Sequence, residues 1–412
     1  MAPTMQPPGG SGVPIPPGPP GSLPAPPQLP EIPPAGVDSL PPNSFIGRFW
    51  PFPVPDKVSL SADYLLWWIR KQQIPALLSF GQFADAIPGA VGQSGTTLLV
   101  GPGSFDNSQQ TGGRIAAVVW FDECHTSGID GSFLGMEQRT RIFDATGWGA
   151  ANERILARPY FNANTNLPDA DPVAVPSVQS GTFVLAMPRQ LYGGDVNFRF
   201  AWDVQWLTTI HLSYLVGGRF LSLTEKILID DTTTALPGDG VAGVNFQLND
   251  SFVARNRFAG GQVGILGDMS VGPLTLSMGA KVAIGQTDEI LRIQGSTVLY
   301  DQATGETFID ATRGLLAQPT NVGRYRKNEL GVIPEATFSL AWDLNGYVKL
   351  SAGYTFLFWS RVLRPGDQID PVLNVQPLGT TELIGTAVRP LASMRSTGFW
   401  AQGVSIGLEV SY

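Results

Sequence analysis

The stretch of residues 335–359 reads EATFSLAWD, LNG and YVKLSAGYTFLFW, and it decides the class of fold. Apolar and polar residues alternate in both halves, which is the period of a β-strand with one apolar and one polar face. In the second half the apolar positions are Val348, Leu350, Ala352, Tyr354, Phe356 and Phe358. The Asn345-Gly346 pair between the halves is a strong signal for a tight turn. The stretch is therefore predicted to be a β-hairpin.

The aromatic residues of this hairpin indicate that it crosses a membrane. Trp342 lies near the turn, and Phe356, Phe358 and Trp359 lie at the far end. In a soluble sandwich, aromatic side chains would gather in mid-strand, where the core is. Aromatic rings at the two ends of an apolar band instead suit the headgroup levels of a bilayer.

Bulk composition leaves two classes of protein open. Only 15% of the 412 residues are charged, and the mean hydropathy is +0.06. No apolar run approaches the ~18 residues that a membrane helix needs; the longest apolar cluster spans 64–69. The chain is therefore either soluble or crosses a membrane as β-strands, because only helices and closed barrels satisfy their backbone groups in lipid.

Charge and cysteine content exclude further classes. A net charge of −8 and a pI near 4.9 argue against nucleic acid and anionic membrane surfaces as electrostatic partners. The lone cysteine, Cys124, excludes an intrachain disulfide and a thiolate metal cluster.

Residues 1–56 form a separate region. Sixteen prolines occur up to Pro42, with glycine and serine between them, and such a segment cannot bury enough apolar surface to fold. It is expected to be either a disordered tail or a periplasmic spacer that touches the cell wall, with Phe45, Phe49, Trp50 and Phe52 as an anchor. A signal peptide is not evident at its start, so we expect that an export signal has been removed.

Residues 57–412 are predicted to form ten strands, with eight to twelve as the range. By alternation the strands lie at about 57–69, 113–121, 130–142, 191–202, 208–223, 252–267, 274–284, 335–343, 347–359 and 404–412, and 181–187 is a candidate extra strand. Long and short connections alternate, as in outer-membrane barrels with long extracellular loops and short periplasmic turns. The even strands before the last stop at aspartates: Asp122, Asp203, Asp268 and Asp343.

Several segments resemble a known family. These are ADYLLWWI (62–69), GTTLLVG (95–101), GGRIAAVVWFDECHTSGIDGSFLG (112–135), ILARPYFN (155–162), LYGGDVNFRFAW (191–202) and HLSYLVGGRFLSLTE (211–225). They are similar to beta-barrel porin family 7, which is abundant in planctomycete bacteria, and the similarity extends over about 57–412. The resemblance implies an outer-membrane β-barrel but says little about transport.

Candidates for catalysis or metal binding are few. His125 follows Cys124 in a short turn, and His211 lies on a polar strand face; neither is expected to be catalytic, because a nucleophile needs a base and an orienting group. Asp230, Asp231, Asp239 and Asp250 are expected in a solvated acidic loop, where Ca²⁺ binding is a weaker hypothesis without EF-hand spacing. We expect no enzyme activity, cofactor or metal.

Two sets of side chains are predicted to mark the barrel wall. The polar set is expected to face the interior: Asp63, Arg114, Asn197, Arg199, His211, Lys281, Glu335, Lys349 and Glu409. The aromatic set is expected at the membrane interfaces: Trp67, Trp68, Trp120, Phe121, Trp202, Trp342, Phe356, Phe358, Trp359 and Tyr412. Since barrels near eight strands are filled by side chains, the interior charges could pair across it and leave the barrel nearly closed.

The sequence thus predicts a bacterial outer-membrane barrel with outer-membrane lipid as its main partner. It would be a porin-like protein, either a narrow channel for small solutes or ions or a structural barrel. Its loops are expected to contact the extracellular medium or neighbouring surface proteins, and its proline-rich tail could contact the cell wall. The alternative is a secreted soluble β-rich protein used in adhesion.

Overall fold

The computed structural model describes residues 58–105, 109–205, 209–237, 242–375 and 385–411. The chain separates into two units, Met1–Pro53 and Val54–Tyr412, and the described residues all belong to the second. The predicted tail at 1–56 with its aromatic anchor, Asp239 and Tyr412 lie outside the described residues.

Ten antiparallel strands close into a ring, because each pairs with its neighbours along the chain and the first pairs with the last. In chain order they are β1 (Val58–Ile69), β2 (Gln109–Trp120), β3 (Ser127–Met136), β4 (Gln179–Gln205), β5 (Thr209–Ala235), β6 (Val244–Val271), β7 (Leu274–Asp301), β8 (Gly323–Asp343), β9 (Val348–Leu363) and β10 (Ser396–Ser411). The predicted up-and-down antiparallel barrel is confirmed.

Four of the strands are far longer than predicted. β4 and β5 have 27 residues each, and β6 and β7 have 28 each. Because a tilted strand crosses a bilayer in about 9–11 residues, these four extend beyond it on the side of the long connections, which is extracellular.

The expectation of a solvated acidic loop was therefore wrong. Asp230 and Asp231 lie in β5, and Asp250 lies in β6. Alternation continues through this region, since Ile227 and Ile229 are buried on one face of β5 while Asp230 is exposed on the other. Charged residues on the outward face of β5, such as Asp230, made this part of the strand resemble a loop in the sequence.

The extended halves of β4–β7 support a second sheet, and the two together are called the dome here. Its strands are Leu78–Gly81, Thr97–Val100, Ile155–Asn162, Leu167–Ala174 and Val372–Leu373, contributed by three extracellular connections. Gln72–Ile74 pairs with Gly103–Phe105, Arg139–Gly147 extends the sheet beside β4, Thr307–Ala311 pairs with β7, and Pro365–Gln368 is a 3₁₀ helix. The predicted extra strand at 181–187 is part of β4.

The dome has an apolar core between the second sheet and the inward face of the extensions. Buried side chains from both sides meet there, among them Leu78, Leu156, Phe183, Leu185, Ile227, Ile229, Phe252, Leu291, Ile293 and Leu373. The dome is thus packed like a soluble β-sandwich.

At the opposite end, aspartates hold the short turns. Asp122 accepts hydrogen bonds from the backbone N–H groups of Thr126 and Ser127, both at 2.8 Å. These hydrogen bonds, that of Thr126 first, hold the pKa of Asp122 below its ordinary value. Asp343 caps its turn in the same way through Asn345 and Gly346, and Gly346 has the positive φ of 83° that such a turn favours.

The outward face of the ring is apolar below the dome. Every strand exposes large hydrophobic side chains there, including Tyr64, Ile115, Phe133, Val196, Tyr214, Ile265, Met278, Phe338, Leu350 and Ile406. We call these rows the outer belt. A continuous apolar belt of this extent is typical of a surface that contacts lipid. Among the described residues, no helix is long and apolar enough to cross a membrane.

Candidate functional site

The candidate site is the interior of the barrel, whose periplasmic half is polar. Inward-facing side chains from eight strands form a charged layer, defined as Asp63, Arg114, Asp130, Asp195, Asn197, Arg199, Arg219, Gln262, Asp268, Lys281 and Glu335. Period-two alternation puts them inside, because their neighbours in the outer belt point to lipid.

Ion pairs connect the strands within this layer. Arg114 contacts Asp63 at 2.8 Å across β1 and β2, and Lys281 contacts Asp195 at 3.4 Å across the interior. Arg219 pairs with Glu335, which lies three strands away. Because the contacts of Lys281 and Arg219 join non-neighbouring strands, they fill the interior with side chains.

Amide groups complete the network. Asn197 Nδ2 donates to Asp130 and to Asp195, both at 3.1 Å, and Gln262 Nε2 donates to Asn197 Oδ1 at 2.8 Å. Two buried polar atoms of the layer, Arg219 Nη1 and Gln262 Oε1, have no hydrogen-bond partner among the described residues. Buried polar groups of this kind are usually satisfied by ordered water, so the charged layer is expected to be hydrated.

The periplasmic mouth carries the remaining polar residues. His211 contacts Asp203, and both side chains are exposed. Arg199 contacts Asp268 at 3.3 Å and lies 4.9 Å from the centre of the Trp120 ring, which in turn stacks on His125. Lys349 lies 3.9 Å from Glu409.

Above the charged layer, apolar side chains fill the barrel. Nine of the ten strands contribute to this apolar layer, which comprises Leu65, Trp67, Ile69, Leu134, Met136, Leu191, Leu221, Leu223, Phe258, Ala283, Ile333, Leu357, Trp359, Val362, Phe399 and Ala401. The most exposed of these side chains, Leu134, is only 6% exposed. The barrel is thus closed at this level by its own side chains.

Aromatic residues of the apolar layer pack over glycines of the wall. Trp359 and Phe258 meet edge to face with ring centres 6.1 Å apart, and Trp359 Nε1 donates to Thr287 Oγ1 at 3.0 Å. A Cβ on the inward-facing Gly331 would lie 2.5 Å from Thr287 Oγ1 and 3.3 Å from the Phe258 ring. Glycine at this position provides the room that the two aromatic rings occupy.

A buried ion pair lies directly above the apolar layer. Arg364 Nη2 and Nε contact the two oxygens of Glu225 at 2.7 and 2.9 Å. Arg364 also donates to the backbone carbonyls of Lys71 and Arg70, so it ties two extracellular connections to β5. This bidentate pair adds a second seal between the barrel and the dome.

A second buried cluster joins the dome sheet to the wall. Arg158 on Ile155–Asn162 contacts Asp231 of β5 at 2.8 Å and Asp250 of β6 at 2.7 Å. Asp250 also accepts hydrogen bonds from the backbone N–H groups of Leu316 and Ala317, at 2.9 and 2.7 Å. These contacts hold parts of two connections against the wall.

One member of this cluster has an unusual affinity for protons. Burial raises the pKa of Asp231 to about 7, with Asp171 and Asp250 adding to the rise and Arg158 opposing it. A cavity of about 210 Å³ lies beside Asp231 and Asp171, large enough for several water molecules. Among the described residues, no group of three or more His, Cys, Asp or Glu side chains is placed to hold a metal ion.

The predicted interior set lies on the inward face. Asp63, Arg114, Asn197, Arg199, Lys281 and Glu335 belong to the charged layer, and His211, Lys349 and Glu409 lie at the periplasmic mouth. The predicted interior set omitted five members of the charged layer: Asp130, Asp195, Arg219, Gln262 and Asp268. Alternation could have identified them, because Asp195 and Arg219 each precede an outward apolar residue, Val196 and Phe220 respectively.

The predicted interfacial set divides in two. Phe121, Trp202 and Trp342 are exposed at the periplasmic edge of the outer belt, and Trp68 and Phe356 are exposed near its other edge, with Phe358 half-buried beside them. Trp67 and Trp359 were assigned to the wrong face: both are 0% exposed, inside the barrel. Trp120 also faces inward, against Arg199. All three occupy the inward positions of their strands, next to outward neighbours.

Comparison with known proteins agrees with this architecture at the level of the family. A FadL homologue from Pseudomonas aeruginosa shows 10% sequence identity, covering 87% of this chain and 90% of its own, but with a TM-score of 0.21 the likeness is too weak to inform fold or function. No curated protein matches the chain. A family model described as Putative beta barrel porin-7 (BBP7) matches residues 60–412. The chain therefore belongs to the BBP7 family, and it is a porin-like outer-membrane β-barrel protein.

Proposed function

We propose that this protein is a closed structural barrel that anchors the dome at the cell surface, and that it does not conduct solutes in its resting state. The apolar layer carries this proposal, because it spans nine of the ten strands and its side chains are buried. An ion that crossed it would lose its water without gaining polar partners, which costs many kcal/mol.

The charged layer supports the same proposal. Each of its cationic groups contacts a carboxylate of the same layer, as Arg114 does Asp63 and Arg219 does Glu335. Paired charges of this kind leave little free charge to attract a permeating ion. A side-chain-filled barrel is also what the strand number favours.

The dome is the part available to partners. It lies on the extracellular side, and we propose that it contacts the surrounding medium or neighbouring surface proteins, with no nucleic-acid partner. A secreted soluble protein, the alternative hypothesis, would expose the outer belt to water, which the size of that belt argues against.

We also propose that the protein is not an enzyme. Among the described residues, neither His125 nor His211 hydrogen-bonds through its ring to a serine, threonine or cysteine side chain. A nucleophile would lack the base that activates it.

Planar-bilayer recording of the purified full-length protein tests the closed state. The wild type is expected to give no stable current. Removing two indole rings of the apolar layer with Trp67→Ala and Trp359→Ala is expected to give discrete conductance steps. The matched control is Trp68→Ala with Phe356→Ala, which removes two aromatic side chains from the outward face at a similar height and should stay silent.

Correct folding of each variant is checked by heat-modifiable gel mobility. Where the double variant fails to fold, Trp67→Leu alone replaces it. Stable wild-type conductance steps would contradict the proposal. So would silence of a folded double variant, since the apolar layer would then not be the barrier.

A second candidate function, a gated channel, is favoured by the unpartnered polar atoms Arg219 Nη1 and Gln262 Oε1, which predict water in the periplasmic half of the interior. For this function the apolar layer would be the gate. Wild-type current that appears only above a threshold voltage would support it over the structural barrel.

A further inference from the structure

A cluster of cations lies on the outward face of β5–β8, just above the outer belt. It comprises Lys226, Arg255, Arg257, Arg292, Arg324 and Arg326, and we call it the basic face. The five arginines are exposed. The cluster stands out because the protein as a whole carries a net charge of −8.

Strand register brings these cations together. Arg292 lies directly opposite Arg324, and Arg326 is opposite Ile290, which is itself opposite Arg255. Like charges placed opposite each other on one face destabilise a sheet unless a counterion lies between them. The arrangement therefore predicts an anionic group outside the protein.

The protein supplies only a fraction of the required negative charge. Asp288 contacts Arg326 at 2.6 Å. Within the described part of the chain, Arg255, Arg257, Arg292 and Arg324 have no carboxylate within 4.0 Å. At least four guanidinium groups are thus available to an external anion.

The height of these cations above the outer belt indicates which kind of anion they bind. Phe220, Ala259, Gln286 and Leu330 form one row across the four strands, and Phe220 and Leu330 are large exposed apolar side chains at the upper edge of the belt. The cations occupy the next three outward rows. With a rise of ~3.3 Å per residue and a tilt near 40°, these rows lie roughly 5, 10 and 15 Å above the belt. The headgroup zone of the outer leaflet is about 5–7 Å deep, so it contains the lowest row, and the long arginine side chains of the middle row can reach down into it.

We propose that the basic face binds the phosphate groups of anionic lipids in the outer leaflet. Guanidinium groups bind phosphate oxygens through paired, charge-assisted hydrogen bonds. A lipid fits better than a soluble polyanion because its acyl chains can lie on the outer belt directly below, on the same four strands. The proposal holds whether the barrel is open or closed.

Lipid retention by the full-length protein in a zwitterionic detergent tests this. The protein is loaded with phosphatidylglycerol in an excess of phosphatidylcholine, and bound lipids are counted by native mass spectrometry. The wild type should retain phosphatidylglycerol selectively. Arg255→Gln with Arg257→Gln, in the two lower rows, should weaken that binding roughly tenfold or more, whereas Arg255→Lys with Arg257→Lys should retain much of it.

A matched control removes two positive charges elsewhere. Arg141 and Arg395 are exposed, lie outside the basic face, and have no carboxylate within 4.0 Å among the described residues. Arg141→Gln with Arg395→Gln should bind phosphatidylglycerol as the wild type does. An equal loss in both Gln variants, or no wild-type preference for phosphatidylglycerol, would overturn the proposal.

Two further readouts distinguish other occupants. Inorganic phosphate should not displace the lipid, because it lacks acyl chains; complete displacement would overturn the assignment to lipid. A change of oligomeric state in the Gln variant without loss of phosphatidylglycerol would show that a second copy of the chain covers this face instead.

Discussion

The barrel and the dome share four strands but have opposite polarity. On β6, Val263 and Ile265 face outward in the barrel and Gln262 faces inward, whereas in the dome Arg255 faces outward and Phe252 is buried inside. The backbone ladder is continuous across the change. The inversion shows that the surrounding solvent, lipid below and water above, decides which face of a strand is apolar.

The two interiors also use charge differently. In the barrel the charged layer spreads ion pairs over many strands, while the dome concentrates its buried charge on Arg158 between Asp231 and Asp250. Loss of one charge should therefore affect the dome more than the barrel.

Removal of Arg158 is the change with the largest expected effect. Arg158→Met leaves Asp231 and Asp250 buried without their cation, and breaking a buried ion pair in this way costs about 3–5 kcal/mol. Limited proteolysis should then cut the dome connections while heat-modifiable mobility shows an intact barrel. Arg141→Met, at an exposed position, serves as the control. If the dome of the Arg158→Met variant resisted proteolysis as well as that of the wild type, the role given to Arg158 would be contradicted.

An arginine placed at two heights on β6 probes the inversion itself. Ile265→Arg puts a charge on the outer belt and should cost about 2–4 kcal/mol, whereas Ser251→Arg, outward in the dome, should cost close to nothing. The free energy of unfolding in urea, measured in lipid vesicles, gives both values. Equal costs at the two heights would mean that the same solvent surrounds both.

The third expected effect is a pH dependence of the dome, and it is the smallest when expressed for a change of one pH unit. The pKa of Asp231 is raised by burial from 3.8 to about 7, so the folded dome binds this proton more tightly than the unfolded chain does. The stabilisation of the folded dome by this bound proton is complete below pH ~4 and is lost as the pH rises through ~7. Between these values the free energy of unfolding falls by about 1 kcal/mol per pH unit.

Asp231→Asn should remove that slope, because the amide does not titrate. The thermal unfolding temperature of the dome is measured from about pH 5 to pH 8 for the wild type and for the variant. The difference between the two at each pH reports on Asp231 alone, because all other carboxylates are shared. A difference that does not change with pH would show that Asp231 has an ordinary pKa.

Alternation along single strands was enough to predict the barrel. The hairpin of β8 and β9 and the aspartates at the short turns, Asp122 and Asp343, follow from local physical chemistry. The same rule places Trp67 and Trp359 inside, since each occupies the opposite face from its neighbours Trp68 and Phe358. Assigning aromatic residues by type instead of by position caused that error.

The dome could not be predicted in this way. Arg158 meets partners 73 and 92 residues away, and no local pattern encodes such contacts. The upper halves of β5 and β6 keep the period of two. Their outward face, however, carries charged residues such as Lys226 and Asp230. A strand that faces lipid would be apolar there, so these segments resemble polar loops in the sequence. The position of the membrane edge along a long strand depends on neighbours that only the folded sheet provides.

Spin labels along β6 test the inversion most directly. In a Cys124→Ser background, single nitroxides replace the outward residues Val263, Ile265, Arg255 and Ser251 of the protein in lipid vesicles. Collisions with oxygen, which concentrates in lipid, should dominate at 263 and 265, and collisions with a water-soluble nickel chelate should dominate at 255 and 251. Equal access of the chelate to all four positions would contradict the account.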